Sequence, residues 1–123
     1  MTPFGAKVRE LRKKNNRTLK EMAEALSVSS AYLSALEHGK RGTPTWYMVQ
    51  RIITYFNVIW DEAEELQRLA ELSDPRVTID TGGLSPNATE LTNMVAMKIS
   101  GLSEESIDHL LHQLRVVCAK DNV

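Results

Sequence analysis

The sequence has one cysteine, no long apolar run and almost no net charge, and each shortage removes a class of protein. A lone thiol, Cys118, cannot form an internal disulfide and fits a reducing compartment. No stretch approaches the roughly 18–20 apolar residues that cross a bilayer, so no membrane partner is expected. The N-terminus, MTPFGAKVRELRKK, lacks the apolar stretch of a signal peptide, and a cytoplasmic location is expected. No Ser/His/Asp constellation, phosphate-cradling glycine loop or carboxylate pair stands out. Neither enzyme activity nor a cofactor is expected. His109 and His112 share a helix face at a spacing that could hold a metal, but no third ligand accompanies them, so no metal site is expected. Internal repeats and low-complexity tracts are also missing.

What remains is a globular composition, 42% apolar and 25% charged, in a chain of 123 residues long enough to bury a core. The net charge of −1 hides an asymmetry. Met1 to Phe56 holds ten Lys/Arg against four Glu, a net +6, and the remainder holds five against twelve acids, a net −7. Two halves of opposite sign suggest two jobs. The basic half suits a polyanion, because neutralising phosphates releases counterions and supplies most non-specific nucleic-acid affinity.

Helical signals dominate the order of the chain. A first helix is predicted from about Gly5 to Asn15, with Val8 and Leu11 on one face and Lys/Arg on the other. Thr18 to Glu21 has capping-box spacing and opens a second helix to about Leu26, with Leu19, Met22, Ala23 and Leu26 inward. Ser27 to Ser29 is a turn, and Ser29 caps a third helix whose core face is Leu33 and Leu36. Gly39 ends it in a left-handed conformation. Thr43 and Pro44 are predicted to cap and start a fourth helix that buries Met48, Ile52 and Phe56. A fifth runs from about Ile59 to Leu72 with Ala63, Leu66, Leu69 and Ala70 inward.

These five helices make a domain over 1–72. Residues 73–85 read differently. Arg76 to Asp80 is the only strand-like run, and a lone strand leaves its backbone hydrogen bonds unmade. It is either an extended linker or a strand in which Val77 and Ile79 pair with a second subunit. Residues 86–123 form a helical hairpin. Ser85-Pro86 starts a helix with Ala88, Leu91, Val95 and Ile99 on one face. Ser103 starts another with Ile107, Leu110, Leu111, Leu114, Val117 and Cys118 in a stripe, Cys118 being read as a small buried hydrophobe. Two such short helices need another surface, supplied by the first domain or by a second copy.

The second and third helices carry the functional signal. Ala23 is small where the third helix crosses closely, Val28 anchors the turn, and Leu33 and Leu36 leave the opposite face free. That face can enter a major groove while the second helix lies across the backbone. Val8 to Val58 resembles the Cro/CI (Xre) family of bacterial and phage repressors. The resemblance is carried by VRELRKKNNRTLKEMAEALSVSSAYLSALEHGKRGTP, with LR at Leu11-Arg12, TxxEMA from Thr18, VS at Val28-Ser29, LExGKR from Leu36, and TPTWYMVQRII at the start of the fourth helix.

The resemblance implies an all-α, five-helix, lambda-repressor-like domain that binds double-stranded DNA as a dimer at inverted repeats. It implies an internal ion pair of Arg12 with Glu37. Carried over by position, Ser30, Ala31 and Ala35 face the bases. Tyr32, Ser34 and His38 flank them, and Lys40 and Arg41 extend toward phosphates. Arg17, Thr18, Lys20 and Ser29 complete the expected contact set. Two positions depart from the family. Leu19 replaces the glutamine that clamps a phosphate, so that contact is lost or passes to Arg17 or Lys20. Ser27 replaces a glycine in the turn and must tolerate its conformation at some cost.

The base-facing side chains are small. Serine can donate to or accept from several bases, and alanine can pack on a thymine methyl, but neither makes a bidentate pair. Specificity is expected to lean on Arg41 or Arg17, on Tyr32, and on DNA shape. The leading expectation is a dimeric, sequence-specific DNA-binding transcriptional regulator, with Val77, Ile79, Leu91, Val95, Ile107, Leu110, Leu111 and Leu114 in the dimer contact. Two rivals stay open: an antitoxin whose acidic C-terminal half covers a basic toxin, and an architectural protein with little base preference.

Overall fold

A computed structural model describes residues 1–123. It contains α1 (Pro3–Lys14), α2 (Leu19–Ala25), α3 (Ser30–Glu37), α4 (Trp46–Phe56), α5 (Trp60–Glu71), α6 (Pro86–Lys98), a 3₁₀ turn (Ile99–Gly101) and α7 (Glu104–Lys120), and no strand. Contacts divide the chain into two units, Met1–Val77 and Thr78–Val123.

Four of the five helix starts in the first unit are set by hydroxyl caps, and two of them differ from the sequence expectation. α1 begins two residues before Gly5. Thr2 is buried, its Oγ1 accepts the Gly5 N–H at 3.0 Å, and Pro3 opens the first turn, where a missing N–H costs nothing. At α4 the expected cap Thr43 and first residue Pro44 lie before the helix. Thr45 caps instead, accepting the Met48 N–H at 3.1 Å. Two threonines two residues apart compete for this role. Pro44 is buried in the preceding loop rather than spent on the first turn, which leaves Thr45 as the cap.

The core is one cluster. Phe4, Val8 and Leu11 of α1 meet Met22, Ala23 and Leu26, then Leu33 and Leu36 of α3, Met48, Val49, Ile52 and Phe56 of α4, and Leu66 and Ala70 of α5. Leu19, expected inward, is only half-buried at its edge, as are Ala63 and Leu69 of α5. The ends of the unit are tied together by polar groups. Buried Ser73, after α5, accepts the Phe4 N–H at 2.9 Å. The Thr2 N–H donates to the Glu37 carbonyl at 3.2 Å, so α1 starts on the end of α3.

Ser27 occupies the α2–α3 turn at φ 56°. That region disfavours any residue with a Cβ by roughly 1–2 kcal/mol. Ser27→Gly is therefore expected to stabilise the protein by about 0.5–1 kcal/mol, after the extra freedom glycine gains in the unfolded chain. Urea denaturation should show a higher midpoint. An unchanged or lower midpoint contradicts this account.

In the second unit an Asp80 side chain accepts the Gly82 N–H at 2.8 Å and turns the chain toward Ser85, which caps α6. Ser103 caps α7, with Glu104 and Glu105 in its first turn, where the helix dipole favours acids. Arg76 to Asp80 is extended but makes no ladder within one chain. No residue of α6 or α7 is buried, and Cys118, expected buried, is half-buried. Leu91, Leu110 and Leu114 stay more than half exposed. No helix is long and apolar enough to cross a membrane.

Candidate nucleic-acid interface

The α2–turn–α3 substructure is built by two caps and a left-handed residue. At Thr18 both halves of the capping box are present: Oγ1 accepts the Glu21 N–H at 3.0 Å, and the Thr18 N–H donates to Glu21 Oε1 at 3.2 Å. The bond from the Thr18 backbone, helped by its hydroxyl and by nearby Arg17, holds the Glu21 carboxyl below its ordinary pKa. A depressed acid pKa stabilises the fold above the unfolded value and less as pH falls through the folded one. The box is therefore strongest at neutral pH. The Val28 N–H returns to the Ala23 carbonyl at 2.9 Å, closing the turn, and Ser29 Oγ accepts the Tyr32 N–H at 2.9 Å to start α3.

Leu33 and Leu36 hold α3 from below, both buried. Apart from buried Glu37 at its end, the rest of the helix faces out. Ser29, Ser30, Ala31 and His38 are exposed, while Tyr32, Ser34 and Ala35 are half-buried. His38 Nδ1 lies 2.9 Å from the Ser34 carbonyl, which makes that nitrogen the donor and leaves Nε2 outward. The end of α3 is a Schellman turn. The Lys40 N–H reaches the Ala35 carbonyl at 2.9 Å and the Gly39 N–H reaches Leu36 at 3.3 Å, with Gly39 at φ 78°. The chain reverses there. Arg41 consequently lies back over α3, its guanidinium 4.8 Å from the centre of the Tyr32 ring. That contact joins residues nine apart through a left-handed turn, so no helical period announces it.

The fold also sorts the cations of the basic half. Arg12 grips buried Glu37, with Nε 3.1 Å from Oε1 and a terminal guanidinium nitrogen 3.3 Å from Oε2; Arg9 adds a 3.9 Å contact. Arg51 donates to the Leu26 carbonyl at 2.6 Å, satisfying the end of α2, and leans toward the Tyr47 ring. Lys7 meets Glu10 at 3.5 Å. Arg12 and Arg51 are thus held inside the fold, while Arg9 and Lys7 make looser contacts at its surface. Arg17 is 3.7 Å from Glu21, an exposed pair that holds it weakly. Lys13, Lys14, Lys20, Lys40 and Arg41 make no ion pair and are exposed. Net charge by segment could not separate these two groups; only the partners do.

A half-exposed helix of small side chains, anchored by two leucines and followed by unpaired cations, is the working part of a helix-turn-helix. Residues 3–69 match the family model described as a helix-turn-helix domain, which is more than half of the chain. The chain belongs to that family. Its motifs place it with regulators of the Cro/CI type. Over 121 residues it is 27% identical to the uncharacterised HTH-type transcriptional regulator RghRB of Bacillus subtilis (strain 168), covering 89% of this chain and 87% of that one. The similarity therefore continues past the helix-turn-helix into the acidic half. No solved structure matches the chain. It is a DNA-binding helix-turn-helix protein.

Proposed function

We propose that the chain is a sequence-specific transcriptional regulator that binds an inverted-repeat operator as a homodimer, placing α3 of each subunit in successive major grooves about 34 Å apart. The observation that carries this reading is the outward face of α3, flanked by cations that nothing in the protein neutralises. Thr18 and Ser29 use their hydroxyl oxygens as caps and keep their O–H groups for phosphates. Ser30, Ala31 and Ala35 meet base edges, with Ser34 at their flank. Lys20, Lys40 and Arg41 meet the backbone, and Tyr32 supports Arg41.

Dimer formation falls to the second unit. Isolated helices of the 13 and 17 residues of α6 and α7 are marginal in water and draw their stability from packing. Their apolar stripes, Leu91 and Val95 on one and Ile107, Leu110, Leu111 and Leu114 on the other, are largely bare in a single chain. A second copy covers them, and Val77 and Ile79 supply the strand that pairs across the axis.

Selection of bound DNA from a random library, with the mass of the free protein measured by light scattering, tests both parts. Enrichment of a palindrome with fixed half-site spacing and a dimer mass are expected. Enrichment of nothing, with a small basic protein bound to the acidic half, would favour the antitoxin reading. Within the proposed interface, Arg41→Ala should weaken binding and reduce the slope of log K against log salt by about one. Unchanged affinity and slope would remove Arg41 from the contact set.

A further inference from the structure

The segment after α5 does not simply leave the domain. Asp74 Oδ1 accepts the Arg76 N–H at 2.9 Å, which turns the chain, and buried Ser73 fixes the residue before the turn. The ring of Pro75 then lies beside Gly39 at the end of α3. A Cβ built on Gly39 would stand 3.6 Å from Pro75 Cγ and 3.7 Å from Cδ. The result is an open cleft of about 540 Å³ lined by His38, Gly39, Lys40, Gly42, Asp74, Pro75 and Arg76.

Two of these residues are exposed cations without an ion-pair partner. Lys40 comes from the end of α3, and Arg76 comes from a position 36 residues further along the sequence. The opposing charge is Asp74, whose Oδ1 is already engaged by its own turn. His38 shares the wall with Nδ1 tied to Ser34. The cleft is continuous with the C-terminal end of the helix that the proposed function puts in the major groove.

We propose that this cleft takes a DNA backbone phosphate, with Arg76 and Lys40 as its two positive walls. Arg76 is then a positioning contact from outside the helix-turn-helix, at the last residue but one of the first unit. The inference rests on the DNA-binding reading above. It adds that the exit segment of the domain is itself part of the DNA surface, where the sequence had suggested only an extended linker or an intersubunit strand for residues 73–85. The contact assigned to this cleft is with phosphate, which positions the domain on DNA without selecting sequence.

The test is titration of full-length protein against its selected operator and against random DNA at several salt concentrations. Arg76→Ala should weaken both complexes by roughly 5–10-fold at 0.1 M salt and lower the salt slope by about 0.9, the value for one phosphate. Arg76→Lys should restore most of the slope. Asp74→Asn keeps the turn acceptor and removes the negative wall, so it should tighten both complexes. A role in folding alone would move the melting temperature but leave the slope untouched. Wild-type affinity and slope in Arg76→Ala, or weaker binding by Asp74→Asn, would overturn this assignment while leaving the helix-turn-helix reading intact. Failure of the wild-type protein to bind any DNA would overturn both.

Discussion

Replacing Gly5 with alanine is expected to unfold the first unit or destabilise it by about 3 kcal/mol or more. The sign runs against helix propensity. In an ordinary helix interior, glycine to alanine is worth roughly 1 kcal/mol of stabilisation. Gly5 sits instead where α1 rests on the last turn of α3. A Cβ there would stand 1.8 Å from the Glu37 carbonyl oxygen and 2.6 Å from its carbon. Both are backbone atoms, so no side chain can swing aside. The same carbonyl receives the Thr2 N–H at 3.2 Å and lies near the Thr2 hydroxyl at 3.4 Å. Relief by separating α1 from α3 would break those bonds and open the cluster around Phe4 and Val8, both buried. Far-UV circular dichroism during urea denaturation should show loss of the cooperative transition or a large drop in its midpoint. A midpoint raised by alanine would refute the close approach.

The second large effect concerns the charge pair behind the interface. Glu37 is 2% exposed and its carboxylate depends on Arg12, with one terminal nitrogen 3.0 Å from Oε1. Arg12→Met leaves a carboxylate in the core with only Arg9, 3.9 Å away and partly in solvent. Breaking such a pair from one side costs about 3–5 kcal/mol, because the remaining charge is buried without compensation. Removing both charges is different. Arg12→Met combined with Glu37→Leu takes away the desolvation penalty together with the attraction, and should recover most of the loss. For a unit of this size, 1 kcal/mol moves the melting temperature by about 4–8 °C. The single variant should therefore melt well over 10 °C lower and the double variant close to wild type. Additive losses in the double-mutant cycle would show that the two residues act independently.

Both predictions lie on α1, far in sequence from the turn and recognition helix, yet both act on the last residue of α3. The orientation of the proposed reading helix is set at Glu37 by Gly5, Thr2 and Arg12. Loss of any one should weaken DNA binding through the position of α3 and not through contacts of its own.

Much of this was legible in the chain order. Apolar residues at three- and four-residue spacing located the five helices of the first unit, because one face of each must meet the cluster of Leu11, Met22, Leu33, Ile52 and Leu66. Thr18 with Glu21, Ser29, Ser85 and Ser103 were readable as caps, since a hydroxyl three residues before its N–H partner is a local arrangement. The helix starts at Thr2 and Thr45 were misplaced where two caps or a proline competed within a few residues. There, burial of Thr2 and Pro44 chose between locally equal options.

Local sequence determined the seven helices, the caps at Thr18, Ser29, Ser85 and Ser103, the left-handed turns at Ser27 and Gly39, and the small side chains on the outward face of α3. Those features depend on neighbours within about five residues. The tertiary structure alone decided which cations are occupied and which are free, that Arg41 lies over Tyr32, that Gly5 admits no side chain, and that Arg76 returns to the end of α3. These depend on distances between segments 9 to 36 residues apart, where neither periodicity nor composition carries information and packing of the core sets the geometry.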